Sequence, residues 1–113
     1  MNRPIRTHAL PDGREVRTRR HEHKGDRVEL HTSLLEGEWL WSYSVSVGTS
    51  YGGALPFPGR AHEPPAPTEG EALQRAARAA LDRLEWSKGP AALREWLQGV
   101  MEPQQAALFE VAL

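Results

Sequence analysis

The sequence predicts an α+β fold. An antiparallel β-meander of three or four strands has one face covered by an Ala-rich helix, with a long Pro/Gly loop before that helix and two short helices after it. Three observations carry this reading. Residues 28–47 alternate apolar and polar side chains around a tight Glu36-Gly37 reversal. Residues 48–70 hold five glycines and five prolines. From Thr68 onward, alanines and leucines recur at helical spacing.

The hairpin at Glu36-Gly37 is the best specified element. Pairing across it sets Leu35 opposite Glu38, Leu34 opposite Trp39, Thr32 opposite Trp41, Leu30 opposite Tyr43 and Val28 opposite Val45. Val28, Leu30, Leu34, Trp39, Trp41, Tyr43, Val45 and Val47 then share an apolar face. Arg27, Glu29, His31, Ser33, Ser42, Ser44 and Ser46 share the other, with Leu35 and Leu40 as exceptions. The preceding strand spans about Arg14 to His23, and Lys24-Gly25-Asp26 reads as its turn. A three-residue loop places Val16 opposite Leu34 on the apolar side, and Arg17, Arg19, His21 and His23 on the polar side. Leu10-Pro11-Asp12-Gly13-Arg14 reads as a type I turn followed by a Gly bulge, so residues 5–10 are a candidate fourth strand.

The prolines and glycines of 48–70 exclude a helix or an inner strand there. Thr68-Glu69-Gly70-Glu71 is a capping-box pattern. Ala72, Leu73, Ala76, Ala77, Ala80, Leu81 and Leu84 form the buried stripe of the helix at 68–86, and Ser87-Lys88-Gly89-Pro90 ends it. The tail, 90–113, reads as one helix to Met101, with Leu93, Trp96, Leu97 and Val100 on one side, and another restarting at Pro103. The whole chain of 113 residues reads as a single domain.

Composition narrows the chemistry. With no cysteine, thiol catalysis, disulfides and thiolate metal sites are absent, which suits a reducing cytoplasm. The first residues lack the apolar core of a signal peptide, and no apolar run reaches membrane-spanning length. The expected location is therefore cytoplasmic. Net charge is −1, but residues 1–35 carry eight Arg/Lys against five Asp/Glu, and residues 36–113 carry six against ten. The basic half holds four of the five histidines.

The polar face of the sheet is the first candidate site. On it Arg17, Arg19, His21, His23, Arg27 and His31 would present forked donors and imidazoles to acidic side chains or phosphates. Three imidazoles, at His21, His23 and His31, could approach a zinc geometry, but the facing arginines repel a cation, so no metal and no cofactor is assigned. Tyr51, Leu55 and Phe57 lie in the Pro-rich loop and are candidates for insertion into a partner groove. Trp96, Val100, Met101 and Phe109 in the tail are candidates for an oligomer interface. No paired catalytic groups, G-x-S-x-G or phosphate-cradling loop occur.

The function expected from this pattern is a small non-enzymatic binding protein, of adaptor or inhibitor type, acting through protein–protein contacts. The second reading is nucleic-acid binding by the basic, His-rich face. A sheet backed by one helix resembles, in architecture alone, integrase amino-terminal domains and double-stranded-RNA-binding domains. A homodimer through the tail would fit either reading.

Overall fold

The computed structural model describes the backbone of residues 6–11, 13–53 and 62–112, with side chains from 65 to 101 in the last stretch and His8 by backbone alone. The elements are β1 (Arg6–Ala9), β2 (Glu15–His23), β3 (Asp26–Leu35), β4 (Glu38–Val47), β5 (Ser50–Gly53), β6 (His62–Ala66), α1 (Glu69–Trp86) and α2 (Ala91–Ala112). The sheet is antiparallel in the order β1-β2-β3-β4-β5, and β6 pairs with the β5 side of β4. The fold is thus the expected meander with helices following it, extended to six strands.

The β3–β4 register matches the sequence pattern pair for pair, from Val28↔Val45 to Leu35↔Glu38. Glu36 and Gly37 both take positive φ, at 52° and 81°, the mirror-image turn that suits the twist of a two-residue hairpin. The turn before β2 also forms as expected: Gly13 N donates to Leu10 O at 2.9 Å, Leu10 N donates to Arg14 O at 2.7 Å, and Gly13 has φ 87°. It joins β2 to β1, the fourth strand.

The β2–β3 register differs from expectation by one residue. The loop is two residues long, Lys24 and Gly25 at φ 51° and 88°, so His23 pairs with Asp26, His21 with Val28, Arg19 with Leu30 and Arg17 with Thr32. A one-residue slip inverts every side chain of the strand. Arg17, Arg19, His21 and His23 therefore lie on the helix side, and Val16, Thr18, Arg20 and Glu22 on the far side with Arg27 and His31.

Two short edge strands, β5 and β6, occupy parts of the Pro/Gly-rich segment. The prolines are tolerated because β6 is an edge strand, and its register with β4 shifts between Trp39 and Trp41.

The helices cover one face. Ala72, Ala76, Ala77 and Ala80 of α1 are buried, and their small side chains let α1 lie close to Val28, Leu30, Trp41 and Val45. Leu84, Leu93 and Leu97 complete this core. Thr68 caps α1: Glu71 N donates to its Oγ1 at 3.2 Å. The Glu71 carboxylate does not return to the cap and instead pairs with Arg75 at 3.6 Å. Leu34, expected inside, is 50% exposed, because it sits past Glu69 at the hairpin tip. α2 runs unbroken through Pro103, so the second and third helices of the expectation are one. A proline that starts a helix and one that interrupts it present the same local sequence.

α1 ends in a Schellman motif. Gly89 N donates to Leu84 O and Lys88 N to Glu85 O, with Lys88 at φ 57° where glycine is usual. The glycine stands one position later because a Cβ at 89 would lie 2.1 Å from Leu84 Cδ1. Lys88→Gly should stabilise the protein by about 0.5–1 kcal/mol. Gly89→Ala should destabilise it by about 1–3 kcal/mol through overpacking. Urea unfolding of the two variants checks both signs.

Candidate functional site

The six residues expected on one basic face divide between two. Arg27 and His31 stay on the far face, while Arg17, Arg19, His21 and His23 flank the helices. The far face is also not open to solvent: Leu10, Val16, Thr18, His31, Ser33, Leu40, Ser42 and Ser44 are buried. Its charged members neutralise one another, Arg20 with Glu22 and Arg27 with Glu29.

A chain of polar groups crosses this buried face. His31, 3% exposed, places Nδ1 2.9 Å from Thr18 Oγ1 on β2 and Nε2 3.0 Å from Ser44 Oγ on β4. The Tyr51 hydroxyl of β5 lies 3.5 Å from the same Ser44 oxygen. A neutral imidazole donates from one nitrogen and accepts at the other, and each hydroxyl can answer either role, so both tautomers are satisfied. His31 reaches diagonally to Ser44 instead of to Ser42 directly opposite, and the buried Ser42 Oγ has no hydrogen-bond partner.

A hydroxyl–imidazole–hydroxyl chain has the outline of a nucleophile, base and orienter. Thr18, however, brings no charge to steady an imidazolium, and Ser44 Oγ is buried. What the chain does here is tie four strands together. His21 and His23 are on the opposite face from His31, so the three imidazoles do not meet, and among the described residues no three His, Asp or Glu side chains converge in metal-binding geometry.

On the helix side, Arg17 Nη1 reaches Glu69 Oε1 at 2.9 Å, and Thr32 Oγ1 donates to Glu69 Oε2 at 3.0 Å, anchoring the start of α1 to the sheet. The His21 ring stacks on Trp96 of α2, 5.5 Å between centroids and 10° from parallel. Trp96, Val100 and Met101, expected at an oligomer interface, are half-buried against the protein's own core. The Phe109 side chain lies outside the described residues, as do Leu55 and Phe57.

Tyr51 is described and is 60% exposed. Beside it is a feature that sequence reasoning missed. Arg83 of α1 crosses β5 and donates from Nη2 to Ser50 Oγ and to Tyr51 O, each at 3.2 Å. It can do so because position 52 is glycine: a Cβ there would lie 2.7 Å from Arg83 Nε. The guanidinium carbon sits 4.3 Å from the centroid of Trp86, whose side chain is 71% exposed. The signal in the sequence was the i,i+3 pair Arg83–Trp86 with Gly52 facing it, and only the topology brings these together.

An open depression of about 600 Å³ follows one flank of α1, where the carboxylates of Glu71 and Asp82 bracket Arg75 and Arg78 beside Trp41. No protein-family model, curated relative or solved structure matches this chain.

The polar chain predicts different outcomes for His31 and for Ser42 beside it. His31→Leu should cost about 2–4 kcal/mol, because Thr18 and Ser44 lose their partners in a buried setting. Ser42→Ala should be neutral or slightly stabilising, because its hydroxyl is already unpaired. Chemical denaturation of the two variants checks this.

Proposed function

We propose that the chain is a small non-enzymatic binding protein that works through contact with another protein. The observation that carries this is the Trp86 side chain, held over Arg83 at the end of α1 and 71% exposed. A soluble protein gains little stability from an indole in water. Trp, Tyr and Arg are the residue types that most often dominate binding energy in protein interfaces. The patch is also fixed in place. Arg83 is tied to β5 by two hydrogen bonds, and the indole stacks on the guanidinium. Side chains ordered in advance lose less entropy on binding.

The nucleic-acid reading rested on six basic and imidazole side chains sharing one open face. With two of them on the far face and the face itself buried, no observation favours it.

Trp86→Ala should change stability by less than about 1 kcal/mol, the scale of an exposed cation–π contact. It should weaken partner binding at least about tenfold. The measurement is affinity capture from the native host extract with the wild-type chain and with Trp86→Ala and Trp86→Glu, each confirmed folded by its melting curve. The same proteins retained in equal amounts by all three would remove this reading.

A further inference from the structure

α1 begins one row short of the end of the sheet. Its first residue, Glu69, is tied to the sheet by Arg17 Nη1 at 2.9 Å and by Thr32 Oγ1 at 3.0 Å. β3 and β4 run on past that tie to the Glu36-Gly37 turn, and their next cross-strand pair on the helix side is Leu34↔Trp39. Leu34 is 50% exposed, and Trp39 is half-buried against the core. Continuing the β2–β3 register from Arg17↔Thr32 sets Glu15 on the other side of Leu34, and Ser33 Oγ donates to Glu15 O at 2.9 Å. The row Glu15, Leu34, Trp39 thus lies beyond the start of α1, with Glu15 and Leu34 in water.

The rim of this apolar pair is acidic. Glu15, Glu36 and Glu38 are exposed, and among the described residues their carboxylates have no ion-pair or hydrogen-bond partner. The cations nearest in the sheet are engaged, Arg17 with Glu69 and Arg14 with Ser33. Half-exposed apolar surface gains from contact with another apolar side chain. A border of unanswered negative charge selects which side chain that is: one flanked by cations approaches, and one flanked by anions is repelled.

We propose that the Leu34–Trp39 pair at the β3–β4 hairpin tip docks a basic segment of a partner protein, one in which leucines or similar apolar side chains lie between lysines and arginines. The apolar side chain packs across Leu34 and Trp39, whose Cβ atoms are about 5 Å apart as a cross-strand pair, close enough for one side chain to touch both. Cations on either side of it meet Glu15 on β2 and Glu36 at the turn, and Glu38 adds to the field that draws them in. The same charge argues against a second copy of this chain, since joining two tips would set each group of carboxylates against its twin. The surface lies at the opposite end of the 18-residue α1 from Trp86, about 25 Å along the helix. The loss of either proposal leaves the other intact.

The test uses the full chain and a fluorescein-labelled Lys-Arg-Leu-Lys-Leu-Arg-Lys peptide, read by anisotropy at about 50 and about 300 mM salt. Saturable binding that weakens with salt is expected. The same peptide with serine in place of both leucines keeps the charge and should bind at least about fivefold more weakly. Leu34→Ser should weaken binding of the leucine peptide by a similar factor, and Glu15→Gln/Glu36→Gln should weaken it at least about tenfold. Glu95→Gln, which removes an exposed carboxylate of α2, should leave it unchanged. Melting curves establish that each variant is folded. The proposal is overturned if the leucine peptide does not bind, if the serine peptide binds equally well, if Leu34→Ser or the double substitution has no effect, or if Glu95→Gln weakens binding as much as the double substitution does.

Discussion

The length of one reversal, at Lys24 and Gly25, decides where every side chain of β2 goes. Two residues there, both at positive φ, place Val16 and Thr18 on the buried far face and send Arg17 toward Glu69. A lysine held at positive φ costs roughly 1–2 kcal/mol. The alternative is worse. A three-residue loop would turn Arg17 and Arg19 into the buried face that holds His31, Ser42 and Ser44, and burying an ion without its partner costs several kcal/mol per charge. The strained turn is the smaller penalty, and the cap contact between Arg17, Thr32 and Glu69 forms only in the register it creates.

That balance also explains which parts of the structure were legible in the sequence. The β3–β4 hairpin could be read to the residue because alternation and turn gave the same answer independently: Leu30, Tyr43, Val28 and Val45 are apolar where Glu29, Ser44 and Arg27 are not. α1 was legible for a similar reason, with Thr68 marking its start and the Ala/Leu stripe its buried side. β2 gave no such agreement. Arg17 and Arg19 are charged on one face, Arg20 and Glu22 on the other, so hydrophobic pattern could not set the register, and Asp26 looks like a turn residue although it opens β3. The basic surface inferred from that register divided when the register moved. The Arg83–Trp86–Gly52 arrangement was beyond sequence reading, because it depends on which strand runs alongside α1.

The sheet has no conventional wet side. The helix-covered face holds the aliphatic core, and the other holds Leu10, Val16 and Leu40 together with Thr18, His31, Ser33, Ser42 and Ser44. Serines in alternate positions of β4 read as a solvated stripe, but a small hydroxyl can be buried wherever a partner is near. His31 supplies that partner on two strands at once. An imidazole suits the role because its two nitrogens lie on opposite sides of the ring and bridge hydroxyls that cannot reach each other. Ser33 is satisfied differently, accepting from Arg14 at 3.3 Å and donating to Glu15 O at 2.9 Å. Buried hydroxyls thus hold β2, β3 and β4 in register where the hydrophobic pattern leaves β2 free to slip.

The same requirement, that backbone groups find partners, shapes the two edge strands. β6 is poor in donors because of its prolines, and the carbonyl of Pro65 goes to Arg75; β5 exposes the carbonyl of Tyr51, which goes to Arg83. Both arginines belong to one helix, so α1 serves the sheet as a core element on its alanine side and as an edge cover on its flank. α2 meets β2 through side chains instead, with the Trp96 ring stacked on His21.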